Sequence, residues 1–138
     1  IVPHNARFTI PQNIVLACDY SVPVPDDVMD KIKFFIDLFG EKAQLHVLDI
    51  LRPLELLTVE RSKEEFNLEY SLRAVNHRVH YREGENVVEE INKFVDSYEA
   101  DWLIMIPHSR NFLSEIFHRS NTKRMAFHTH VPLLSLHD

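Results

Sequence analysis

Four apolar runs of strand length and one alternating run, spaced by segments with a helical repeat, constrain the fold of this chain most. The apolar runs are Ile14–Cys18, Leu45–Ile50, Trp102–Ile106 and Val131–Leu136. The alternating run, His77–Tyr81, sets His77, Val79 and Tyr81 against Arg78, His80 and Arg82, which suits a half-exposed strand near a sheet edge. Short runs separated by 3.6-residue periods are the pattern of a parallel sheet covered by helices. The first intervening segment predicts a helix over about Pro25–Phe39, with Val28, Ile32, Phe35, Ile36 and Phe39 on one face, Pro25 in its first turn and Gly40 at its end. The second, the charged stretch Leu54–Val75, reads as a helix with Phe66, Tyr70 and Arg73 roughly in register. The third has the cleanest period, with Val87, Val88, Ile91, Phe94, Val95 and Tyr98 on one face and acidic residues in its first turns. A fourth helix is expected over about Asn111–His128. The order is βαβαβαβαβ. Right-handed crossovers then give a three-layer α/β fold around a doubly wound, five-stranded parallel sheet, Rossmann-like, with ligands expected at the carboxyl ends of its strands where the strand order reverses.

Size and charge narrow the class of function. With 138 residues and 45% hydrophobic content the chain suits one core, read here as a domain over 13–138 after a Pro-containing, linker-like lead-in over 1–12. Lys plus Arg is 15 and Asp plus Glu is 21, so the formal charge is 15 − 21 = −6. That sign argues against nucleic acid and against an anionic membrane surface as partners. The apolar runs fall far short of the roughly 20 residues needed to cross a bilayer. A single cysteine, Cys18, suits a reducing, cytoplasmic setting.

The turn after the fourth strand, Pro107-His108-Ser109-Arg110, is where such a fold places function, and it holds no glycine. A phosphate-cradling turn needs glycines, because backbone N–H groups must approach the anion without side chains between them. The two glycines of the chain, Gly40 and Gly84, lie elsewhere. No Gly-x-Ser-x-Gly elbow, His-Glu-x-x-His or Walker loop occurs, and His108 and Ser109, as chain neighbours, are poorly placed to act as base and nucleophile. Catalysis is therefore not expected. Nine histidines are many for this length, and His128 with His130 could offer a zinc pair. No helical His at i, i+4 and no cysteine partner accompanies them, so the histidines read as surface or hydrogen-bonded groups, with His46 packed inside strand two. Cys18 reads as a small core residue, and the adjacent Asp19 disfavours its thiolate.

Together, the strand end Cys18-Asp19-Tyr20-Ser21 and the block from Ile106-Pro107-His108-Ser109-Arg110 through Phe117-His118-Arg119-Ser120-Asn121-Thr122-Lys123 to His130-Val131-Pro132-Leu133-Leu134 resemble the universal stress protein family. The resemblance spans Asn13 to Asp138 and is most specific from Leu103 to Leu136. The His-Arg-Ser-Asn-Thr-Lys run resembles the second half of tandem, Bacteroidetes-type members. The resemblance implies an adenine-nucleotide alpha-hydrolase-like fold. ATP-binding members carry Gly-x2-Gly-x9-Gly-Ser/Thr after strand four; here its glycine positions fall on Ile106, Ser109 and Arg119, and Ser120 keeps the hydroxyl. Asp19 matches an acid that faces the nucleoside, with a turn-capping role as the plainer alternative. Ala17, Val47 and Met105 match positions lining the adenine pocket and are equally ordinary core residues. Arg110, Arg119 and Lys123 could still attract phosphate as charges.

The resemblance therefore implies two readings. In the first, the domain acts in a stress response through dimerisation and protein contacts, with no resident cofactor and a degenerate nucleotide loop. In the second, ATP or AMP binds and makes it a nucleotide-dependent switch. Family members pair the last strand across a two-fold axis, which implies a homodimer, or a pseudo-dimer between tandem domains, through Val131 to Leu136.

Overall fold

The run Ile14–Ala17 lies at the centre of the sheet, in β1 (Asn13–Cys18) of a computed structural model that describes residues 2, 10–18, 23–51, 59–106 and 131–136. Along the chain follow α1 (Asp26–Asp37), β2 (Gln44–Leu51), α2 (Val59–Ser71), β3 (His77–Glu83), α3 (Val87–Ser97), β4 (Trp102–Met105) and β5 (Leu133–Ser135). The sheet order is β3-β2-β1-β4-β5, and every pairing is parallel. The chain thus winds outward from β1 to β3, then crosses to the other side of β1 for β4 and β5. The reversal falls between β1 and β4. The helix expected over Asn111–His128 lies outside the described residues.

Alternation along β1 builds two cores. Ile14 and Leu16 join Leu45, Val47 and Ile104 beneath α1 and α2. Val15 and Ala17 join Leu48, Leu103, Met105 and Leu133 beneath α3. Successive strand side chains point to opposite faces, so a sheet covered on both sides reads as a continuous apolar run.

The helices form where local signals agree with these faces. Pro25 occupies the N-cap position of α1 with φ −58°, acidic Asp26 and Asp27 follow, and Val28, Met29, Ile32 and Ile36 are buried. Phe35 and Phe39 close the lower end of this core edge-on, with ring centroids 4.9 Å apart and Phe35 5.1 Å from Trp102. Gly40 then turns the chain with φ +77°, a conformation that costs a residue with a Cβ roughly 1 kcal/mol or more. In α3, Asn86 is the N-cap, and its side-chain oxygen accepts the Glu89 N–H at 3.1 Å. Ile91, Phe94 and Val95 form the buried stripe.

The second helix ends at Ser71, four residues before the expected Val75. Phe66 and Tyr70 are exposed, stacked 6.3 Å apart on the outer surface, with the Arg73 guanidinium 4.0 Å from the Tyr70 ring centroid. Leu68 and Leu72 are the residues that enter the core, together with the buried charge of Arg61. Asp101 ties the amino ends of β1 and β4 together, since its Oδ2 accepts the Gln12 and Asn13 N–H groups at 2.7 and 2.9 Å. The strand His77–Tyr81 runs two residues further than expected and takes one sheet edge, where Arg78, Tyr81, Arg82 and Glu83 are exposed. The opposite edge is β5.

Candidate functional site

The switch point is formed by the carboxyl ends of β1 and β4, where Ala17 and Met105 are register partners and Cys18 and Ile106 lead out of the sheet. Ala17 and Met105 are buried on the α3 face, whereas Val47 is buried on the α1 and α2 face. The sheet therefore brings two of the three adenine-matched positions together and separates them from the third. Asp19, Ser109, Arg110, Arg119, Ser120 and Lys123 lie outside the described residues, as do His128 and His130.

Beside this point, a cleft of about 330 Å³ opens between the start of α1 and the outer part of α2. Cys18, Val24, Met29 and Leu68 give it an apolar floor, and Asp26, Lys63, Glu64 and Asn67 give it a polar rim. Cys18 packs against the core here, as a small apolar residue would. Its accessible lining is more polar than apolar, and Ala17, Val47 and Met105 are not part of it. Asn67 donates to Glu64 at 3.4 Å, so part of the rim is self-paired.

Next to the cleft, at the carboxyl end of β2, Asp49 accepts from Arg61 Nη2 at both oxygens, at 2.6 and 2.5 Å. Both side chains are buried, at 1% and 6% exposure. Burial comes first in pushing the nearby Glu65 carboxyl up, and the charges of Glu69 and Asp49 add to it against the opposing pull of Arg61. Sequence reading missed this pair. Its signal was an acid inside an apolar strand, Leu48-Asp49-Ile50, followed twelve residues later by an arginine in a helix.

On the opposite face lies a polar group within an aromatic cluster. His46 Nε2 meets Asn13 Oδ1 at 3.1 Å, His46 Nδ1 meets His80 Nε2 at 3.0 Å, and His80 Nδ1 meets the Tyr98 hydroxyl at 3.4 Å. Phe94 packs on His80 at 4.9 Å and on Tyr98 at 4.3 Å, and Arg82 sits 5.3 Å over the Phe94 ring. Burial, then the His80 ring and Arg78, hold His46 below the ordinary imidazole range. Burial, then Arg82 and Arg78, do the same for His80. His46 is thus packed within its strand, as its sequence position suggested, but it is also hydrogen-bonded. The partner was legible only as a residue on the same face of the neighbouring strand, since Leu48 and His80 are register partners. Among the described residues, no group of three or more His, Cys, Asp or Glu side chains is placed to hold a metal ion. Among the same residues, no helix is long and apolar enough to cross a membrane.

Comparison with known proteins gives a consistent result. A family model described as the universal stress protein family matches residues 34–137, more than half of the chain. No curated protein matches the sequence. Among solved structures, a universal stress protein in complex with cAMP superposes with a TM-score of 0.63 at 14% identity, covering 92% of this chain and 97% of that one. A protein of the universal stress protein family from Burkholderia pseudomallei gives 0.57 at 14% identity over 94% and 98%. A universal stress protein from Archaeoglobus fulgidus gives 0.58 at 15% identity over 91% and 98%. At these identities the superpositions speak for the fold.

Proposed function

This chain belongs to the universal stress protein family, and on that premise we propose that it acts in a stress response by assembly through its last strand rather than by catalysis. The observation that carries the reading is the β5 edge. It is three residues long, two of them leucines, and last in the sheet order. Pro132 carbonyl and Leu136 N–H bond to β4, at Leu103 N–H and Met105 carbonyl, each at 3.0 Å. Alternation in a parallel ladder then turns the Ser135 N–H toward the open edge. The Ser135 hydroxyl is buried and has no hydrogen-bond partner among the described residues. The contrast with β3 supports the choice, because β3 guards its edge with Arg78 and Arg82, and charged side chains are a common protection against pairing. A second copy, or a tandem domain, pairing at β5 would cover what β5 leaves open.

Sedimentation equilibrium tests this directly. Ser135→Pro removes an outward N–H without removing a bond to β4, so the dimer should dissociate while the circular dichroism spectrum is retained. A wild-type chain that stays monomeric at high concentration would overturn the reading, as would a dimer indifferent to the substitution.

A second reading rests on the cleft beside Cys18 and on the neighbour that binds cAMP. Its apolar floor suits a purine, which Asp19 would face, with Arg110, Arg119, Ser120 and Lys123 serving the phosphates. Ile106, Ser109 and Arg119 stand where a glycine loop would cradle them, so affinity should be weak. Calorimetric titration with Mg-ATP, AMP and cAMP separates the outcomes. Micromolar binding lost in Asp19→Ala would establish a nucleotide switch, and no heat up to millimolar ligand would retire it.

A further inference from the structure

We propose that the His46–His80 pair is an acid-operated latch, whose uptake of two protons from solvent releases the edge strand β3 from β2. The geometry defines what the pair can accept. With Asn13 Oδ1 facing it, His46 Nε2 carries a proton, which leaves His46 Nδ1 as an acceptor. His80 Nε2–H must then donate across the 3.0 Å gap, and His80 Nδ1 is left to accept from the Tyr98 hydroxyl. If the Asn13 amide is turned over, every bond reverses, and the gap between the rings again holds a single proton. Four elements are joined by this one chain: β1 through Asn13, β2 through His46, β3 through His80 and the end of α3 through Tyr98.

One added proton is tolerated. It enters at His80 Nδ1, the Tyr98 hydroxyl becomes the acceptor, and the bond between the rings persists in charge-assisted form. A second proton has only His46 Nδ1 to occupy, and two N–H groups then face one another across 3.0 Å. The surroundings oppose this doubly charged state. From β3 the pair faces the guanidiniums of Arg78 and Arg82, and both act against protonation. From α3 it faces Phe94 and the neutral Tyr98 hydroxyl, and from β1 the neutral Asn13 amide. Asp101 is engaged at the backbone N–H groups of Gln12 and Asn13. Separation of the rings admits water and relieves the contact. The element free to leave is the edge strand β3, while β2 is held by β1 on its other side and α3 by the core over β1, β2 and β4.

Hydrogen exchange on the full chain tests the latch. Each proton bound only by the open form raises the opening constant roughly tenfold per pH unit. Between about pH 7.5 and about pH 5.5, and after correction for intrinsic rates, residues 77–83 should therefore lose protection at least roughly tenfold more than residues 26–37. In His80→Asn, which keeps a hydrogen-bonding side chain but cannot titrate, this selective loss should shrink to less than half of its wild-type value on a logarithmic scale. Equal loss over α1 and β3 would overturn the proposal, as would an undiminished loss in His80→Asn. Nitrogen NMR of the two imidazoles in the wild-type chain gives a readout independent of any variant's folding. Titration of both rings as ordinary exposed histidines, with no change at Tyr98, would also overturn it.

Discussion

Three residues apart on one strand, His46 and Asp49 are buried on opposite faces of the sheet and are satisfied in opposite ways. Asp49 meets a full positive charge from α2, in a pair that excludes water. His46 meets another imidazole, and the chain through Asn13, His80 and Tyr98 is neutral throughout. A buried ion pair depends on both charges being present, because either one alone is left in a medium that solvates it poorly. A neutral hydrogen-bonded chain depends on the number of protons, because one extra proton finds a place at His80 Nδ1 and a second finds none without setting two N–H groups face to face. One face of the molecule is therefore fixed by charge pairing, and the other answers to pH.

The largest break in this comparison should come from Asp49→Leu, which strands the Arg61 guanidinium. A loss of about 3–5 kcal/mol is expected, read as a fall in the urea midpoint. Asp49→Leu combined with Arg61→Met should recover most of it, and a single variant as stable as wild type would show that the pair is not what holds α2. Next is His46→Leu, which leaves Asn13 and His80 without their shared partner and should cost about 1–3 kcal/mol.

The same substitution sharpens the contrast through pH. Both histidines are held below their ordinary range, so the unfolded chain binds more protons than the folded one as the pH falls. Their contribution is fully present above the ordinary imidazole pKa of about 6.5, and it is lost progressively as the pH drops from there toward the lowered folded-state values. Thermal melts across this window should fall in wild type and in Asp49→Leu, and should flatten in His46→Leu. The smallest effect is expected at Lys93, which lies 2.9 Å from Glu89 and 3.0 Å from Glu90 on the solvent side of α3. Lys93→Ala should leave the melting midpoint unchanged, since exposed pairs are screened and mobile. A measurable loss there would mean that burial is not what separates the two interior sites from the surface.

Much of the fold was legible because local and global demands agree. The period of α3 in the sequence, from Val87 to Val95, names the face that packs, and the continuous apolar runs of β1 and β4 announce strands covered on both sides. Where the two demands part, spacing alone did not name the packing face. Phe66 and Tyr70 are spaced as a helical stripe, yet they face solvent, because the mean hydropathy of α2 is low and, among the described residues, Leu68, the charge of Arg61 and Leu72 just past its end are what it buries. An aromatic pair at i, i+4 stacks equally well on either side of a helix, so spacing alone does not choose the face.

The sequence by itself determined the alternation of elements, the half-exposed character of β3, the apolar closing strand, and the absence of glycines from the turn after strand four. Each of these is written in contiguous residues, because periodicity and turn chemistry act over a few positions. Only the tertiary structure decided that His46 meets His80, that Asp49 meets Arg61, and that Ala17 and Met105 share a face which Val47 does not. Those pairings join residues twelve to eighty-eight positions apart. They depend on strand order and register, which bring distant side chains within a few ångströms and which no local pattern encodes.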